Sequence, residues 1–251
     1  MKSAPELHPK SGVPDRLGIQ SIERASQILE LFDQDTTNLS VNLVTERLGL
    51  NRTTAYRYLS SMQAAGLLSK RLMPGPLLEQ VATFMSGQRR LFELAQGTMR
   101  SLSDKTGITV VMSTWGRTGA VVALVEEATQ GQAIVTVRVG TVLDHHAAQS
   151  RVLLAFQADP TEVERYLSTL GDAERARTQA NLAKVRSSRL GISELDELGL
   201  TAIAVPVFGQ RNIESAMAFI GTATAISLPA KIQEIQLLQQ AAADLSELLG
   251  A

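Results

Sequence analysis

A chain of 251 residues with 44% apolar and 20% charged side chains has material for two compact domains, and its formal charge of −1 gives no global field to draw it onto a polyanion. Cysteine is absent, which excludes disulfides, thiolate metal sites and cysteine nucleophiles and suits a cytoplasmic setting. No run reaches the roughly 18 apolar residues of a membrane helix, so no membrane partner is expected, and residues 1–18, with three prolines and no apolar core, read as a flexible tail rather than a signal peptide.

The first periodic segment runs from Ser21 to Phe32, with Ile22, Ala25, Ile28, Leu29 and Phe32 at helical spacing. After the turn DQDTTN, Ser40 is a good N-cap for a second helix whose inner side is Val41, Leu43, Val44 and Leu48. Gly49 closes that helix where a positive φ is easiest. A third helix is predicted over Arg52 to Ala65, stopped by Gly66, with Ala55, Leu59 and Met62 inward at i, i+4, i+7. The short run Leu67 to Leu72 follows, and Pro74-Gly75-Pro76 reads as a tight turn.

Two short helices joined by a glycine turn form a helix-turn-helix pattern. The second must hold one side on a small core while its outer face offers donors to a groove about as wide as a helix. Arg52 and Arg57 supply charge-assisted donors for phosphate or guanine, and Thr53, Thr54 and Tyr56 supply hydroxyls. Ser40 and Lys70 are placed to touch the flanking backbone. A helical hairpin with its polar face in water is the plainer alternative. The cap, the glycine turn, the run RTTAYR and the short strand after it agree on double-stranded DNA as partner.

From Leu77 to Ser103 the pattern is one or two helices interrupted near Gly87. Then ITVVMSTW, GAVVALVEE, QAIVTVRVG, TAIAVPVFG and SAMAFIGTA read as short strands. Between and after them lie helical stretches at Ala148 to Phe156, Pro160 to Leu170, Ala173 to Arg189 and Pro229 to Leu249. The second half is thus an α+β domain with a sheet of about five or six strands. No nucleophile elbow, phosphate loop, dinucleotide fingerprint or zinc-protease motif is present, so an enzyme is not expected.

The stretch SIERASQILELF…LSVNLVTERLGLNRTTAYRYLSSMQAAGLL resembles the N-terminal domain of the IclR family of bacterial regulators. Ser21, Arg24, Ala25, Ile28 and Leu29 match its opening, Leu48 to Leu50 its turn, and Thr54, Arg57 and Leu59 its recognition helix. The similarity continues more weakly through HHAAQSRVLLAF and LGLTAIAVPVF. The resemblance implies an N-terminal all-α winged helix-turn-helix (19–75) and a linker helix (76–95). These join a C-terminal GAF-like α+β effector and oligomerisation domain (96–251). It also implies a homodimer or homotetramer, acting as a repressor of a catabolic or metabolic operon on a palindromic operator that a small effector releases.

Several positions depart from the family pattern. The wing is short, with only Ser69 to Met73 before Pro74. Ala202 stands at the family's usual cysteine, Phe219 and Gly221 stand where small hydroxyl residues are common, and Ser150 replaces a glycine. Fewer donors and more apolar surface imply a fairly apolar or aromatic effector, or an organic acid derivative, contacted by Met112, Leu124, His145, Ala148, Leu200, Ala202 and Phe219. For Met112, Leu124, Ala202 and Phe219 an ordinary sheet-core role competes with that reading, and for His145 a role in capping the next helix does. His145, His146 and Asp144 hint at a metal, but no second cluster has ligand spacing, so no metal and no cofactor are expected. Two rival functions remain: a winged helix that meets another protein, and a DNA-binding regulator without a working effector site.

Overall fold

The structure, a computed structural model, describes residues 19–250 apart from 34, 85, 118, 130–134, 196–198 and 227–231, and apart from the side chains of 84–89. It divides into two units with the main boundary between Pro76 and Leu77. The flexible tail expected over 1–18 lies outside the described residues.

In the first unit, helix α1 spans Gln20–Leu29, α2 Val41–Leu48 and α3 Arg52–Ala64. Ser40 Oγ accepts the N–H of Leu43 at 3.1 Å, satisfying one of the donors that every helix start leaves free. Asn51 does the same for α3, its Oδ1 accepting the N–H of Thr54 at 2.8 Å. Between them Gly49 sits at φ 64°, the left-handed value that lets α2 stop and the chain reverse within three residues. Ile28, Leu39, Val44, Ala55, Leu59, Met62 and Leu68 close the core, each burial of a large aliphatic side chain stabilising by about 1.5–3 kcal/mol. Two details differ from expectation. Helix α1 starts at Gln20 behind Ile19, one residue before the predicted start at Ser21, and Ile22 in its first turn stands 62% exposed because this small core reaches only the later turns.

The wing is a tight hairpin in which Leu68 bridges Pro74. Its turn lies at Ser69–Leu72, where the Leu72 N–H donates to the Ser69 carbonyl at 2.9 Å and Leu72 takes φ 59°. The expected turn at Pro74-Gly75-Pro76 is therefore corrected: Pro74 is paired in the hairpin and Pro76 begins the next helix, a position its fixed φ favours.

The second unit opens with α4 (Pro76–Phe84) and α5 (Ser86–Thr106). It continues through β1 (Thr109–Trp115), β2 (Ala120–Glu126), β3 (Val142–Leu143), α6 (Ala148–Ala155), α7 (Pro160–Leu167) and α8 (Asp172–Ser188). It closes with β4 (Gly191–Leu195), β5 (Leu200–Phe208), β6 (Ile213–Thr222) and α9 (Ile232–Leu248). The strands form one antiparallel sheet in the order β3-β2-β1-β6-β5-β4. Of QAIVTVRVG, residues 132–134 lie outside the described set and 135–140 carry no strand, while β4 forms where none was expected.

Alternation assigns each strand residue to a face. Val110, Met112, Ile203, Val205, Val207, Met217 and Phe219 pack with α5 and α9. Ala120, Ala204, Ala216 and Ala218 pack with α6 and α8 on the other side, where short side chains let α6 sit close to the sheet. At Gly191 the approach leaves no room for a side chain: a Cβ there would stand 2.7 Å from the Ala148 carbonyl oxygen.

Candidate functional site

The outer face of α3 is polar because its core positions are fixed. At 100° per residue, Thr53, Arg57 and Ser60 fall opposite Ala55, Leu59 and Met62, with Tyr56 beside them. Arg52, Thr53, Tyr56 and Arg57 are exposed, Tyr56 at 63%. Thr54 is half-buried and its N–H is taken by Asn51. An Arg52 guanidinium nitrogen reaches Asn42 Oδ1 at 3.4 Å, steadying the side chain from α2. Ser40 is exposed and already used as a cap. Lys70 is exposed in the wing turn, which Gln63 holds by donating to the carbonyls of Ser69 at 3.0 Å and Lys70 at 3.3 Å. Asn42, Asn51 and Gln63 were not singled out from the sequence, although Asn51 carries a capping signal as clear as that of Ser40.

Charge is concentrated on this surface. Residues 38–76 carry Arg47, Arg52, Arg57, Lys70 and Arg71 against the single acid Glu46, in a chain whose formal charge is −1. Such a local basic patch on a helix-turn-helix suits a polyanion with the dimensions of a DNA groove.

In the second unit the seven residues expected to line an effector pocket do not share a surface. Met112 and Phe219 are fully buried toward α5 and α9, with Leu124 packed beside them. Ala148 and Ala202 belong to the α6 side, and alternation puts Leu200 on the face of Ala202. A single pocket containing all seven is therefore corrected, because the sheet itself separates them. His145 Nε2 lies 2.5 Å from Glu174 Oε1 and does not cap α6. Asp144 orders that start instead, its Oδ1 accepting the N–H groups of His146 at 2.8 Å and Ala147 at 3.2 Å.

The α6 side carries buried polar groups outside the seven residues expected to line the pocket. Ser113 Oγ, Trp115 Nε1 and Gln149 Nε2 are buried with no hydrogen-bond partner. Ser113 and Trp115 lie on the α6 face of β1, since Met112, the residue before Ser113, packs with α5 and side chains alternate along the strand. Ser150 Oγ accepts the N–H of Ala120, the residue paired with Trp115, so the first turn of α6, including Gln149, stands over that end of the sheet. The cap position of helix α6 is Ala147, whose methyl group cannot accept, so the first N–H groups of the helix gain no side-chain acceptor. The Trp115 ring meets Tyr166 edge to face at 5.5 Å between centroids. Burial, reinforced by the carboxylates of Asp144 and Glu174, pushes the Tyr166 phenol up to about 12, so it remains a hydroxyl donor at neutral pH. Buried polar groups are nearly always paired, and three orphan donors around an uncapped helix start form a surface suited to acceptors.

Comparison with known proteins agrees with both halves. The IclR helix-turn-helix domain matches residues 21–71, and the bacterial transcriptional regulator IclR C-terminal domain matches 84–247. The HTH-type transcriptional regulator XynR of Escherichia coli K12 is 29% identical over 248 residues, covering 92% of this chain and 98% of the relative. The fold matches a solved candidate IclR transcriptional regulator from Silicibacter sp. TM1040, with TM-score 0.74 at 23% identity over 92% of this chain and 96% of the other. It also matches an IclR homolog from Microbacterium hydrocarbonoxydans complexed with 4-hydroxybenzoate, with TM-score 0.68 at 20% identity over 91% and 98% of the two chains.

Proposed function

The chain belongs to the IclR family of bacterial transcriptional regulators, and from that premise we propose that it is a cytoplasmic, effector-released repressor acting as a homodimer or tetramer. The single observation that carries DNA contact is the basic, exposed face of α3 and the wing on a chain of net charge −1. Thr53 enters the major groove, Arg57 grips a phosphate at its edge, Arg52 and Tyr56 flank them, and Lys70 reaches the adjacent phosphate backbone. Ser40 acts as a helix cap first and a backbone contact second.

The effector is a small organic acid. Its carboxylate meets the uncapped start of α6 and the donors Gln149 Nε2, Trp115 Nε1 and Ser113 Oγ, while its apolar body lies over Ala148, Ala202 and Ala218. The reading draws support from a relative of the same fold whose structure is described with 4-hydroxybenzoate. It replaces the donor-poor pocket expected around Phe219, since that side chain faces the opposite core. Effector binding shifts the population of dimer geometries through α4 and α5, so that two recognition helices no longer match half-sites one DNA turn apart.

The test is an anisotropy titration against DNA upstream of its own gene, over rising salt and with a panel of aliphatic and aromatic acids. Saturable binding whose logarithm falls linearly with log salt, released by one acid, is the expected result. Binding insensitive to salt would favour a protein partner for the winged helix, and release by no acid would leave a regulator without a working effector site.

A further inference from the structure

We propose that His145, His146 and Glu174 form a binding site for a divalent transition-metal ion of the zinc class. One ligand atom from each of these side chains lies within 4.8 Å of the other two. His145 Nε2 and His146 Nε2 stand 2.5 Å and 3.5 Å from the same oxygen, Glu174 Oε1. Adjacent residues on a strand would point apart, but these two occupy the turn before α6, folded by Asp144, and their ring centroids are 3.9 Å apart. Glu174 arrives from the first turn of α8, 29 residues away in sequence from His145.

The geometry suits a small tetrahedral ion. Zinc bonds of about 2.0–2.2 Å to nitrogen and oxygen place neighbouring ligands roughly 3.4 Å apart. The His146–Glu174 separation of 3.5 Å is already there, and the His145–Glu174 pair widens by under about 1 Å as a hydrogen bond gives way to coordination. Two imidazoles and one carboxylate favour zinc, cobalt or nickel over magnesium or calcium, which take oxygen ligands. Three protein ligands leave the fourth position to water or another small donor. His145 is mostly buried while His146 is exposed and Glu174 half-buried, so an ion can enter from solvent. Coordination would tie the β3–α6 turn to α8. The site stands on its own three side chains and does not depend on the effector reading.

The experiment is calorimetric titration of the tag-free, chelator-stripped full chain with zinc chloride, paralleled by cobalt chloride and its visible d–d bands. One ion per chain is expected, with tetrahedral cobalt bands. Affinity should fall about tenfold or more in His146→Ala and in Glu174→Gln. His146 is exposed, so its variant should melt like the parent without metal. His8→Ala, the remaining histidine, should change nothing. No saturable binding, binding unaffected by either variant, or loss of binding in His8→Ala would each overturn the site.

Discussion

Ala202 and Phe219 lie on opposite faces of one sheet. The β5–β6 register pairs Ala202 with Ile220 and Ile203 with Phe219, so Ile203 and Phe219 point to α5 and α9 while Ala202 points to α6. No small molecule can touch both side chains without crossing the sheet. The sequence treated the two as neighbours in function, and only the pairing of strands separates them.

Phe219→Ser is accordingly a core substitution. Removing a ring that is 1% exposed, and leaving a hydroxyl without a partner, should cost about 3–5 kcal/mol. Urea unfolding of the C-terminal unit measures it. Unchanged stability with altered effector response would return Phe219 to the pocket.

Ser113→Ala should act in the opposite sense. Its hydroxyl is buried and unpartnered, so deletion should leave unliganded stability unchanged or raise it by up to about 1–3 kcal/mol. The same variant should need more acid to release DNA. Thermal melts and release titrations read the two effects separately, and a destabilised protein with normal release would remove Ser113 from the effector surface.

Arg57→Ala should weaken binding to every operator by a similar factor and reduce the slope of log K against log salt by about 1. Arg57 is exposed and lies opposite the core positions of α3, so the fold should be unaffected. Anisotropy at several salt concentrations checks it, and an unchanged slope would count against a phosphate contact.

Ser40→Ala should cost about 1 kcal/mol of stability in the N-terminal unit through loss of the cap on α2, and Asn51→Ala a similar amount at α3. Ser40→Gly should cost only a few tenths. If Ser40→Gly weakens DNA binding as strongly as Ser40→Ala, the hydroxyl contacts DNA directly as well.

Tyr166 gives the protein an alkaline limit. Its folded-state value near 12 is above the ordinary phenol value of about 10, so the folded form holds that proton more tightly. Its contribution to stability is therefore complete below about pH 10 and is lost as pH rises toward 12. Phenolate absorbance should show a tyrosine that titrates late, and Tyr166→Phe should abolish that step.

The N-terminal unit was legible in the sequence because its signals are local. Ser40, Gly49 and the spacing of Ala55, Leu59 and Met62 each act within a turn or two of helix, and the structure realises all three. The wing was misread because Pro74 pairs across the hairpin with Leu68, a contact that outweighs the turn preference of a Pro-Gly-Pro run. Strand β4 was missed because GISEL has little apolar alternation, and its pairing with β5 supplies the stability its own sequence does not.

By itself the sequence determined the helix-turn-helix, the α+β plan and the basic composition of α3 and the wing. Only the tertiary structure decided which residues meet in the second unit. A shift of one residue in a strand reverses its face, and that choice is made by hydrogen bonds to strands far along the chain. The same holds for His145 and Glu174: nothing in the segment of either points to the other, and only the docking of α8 beside the turn before α6 brings nitrogen and oxygen to 2.5 Å.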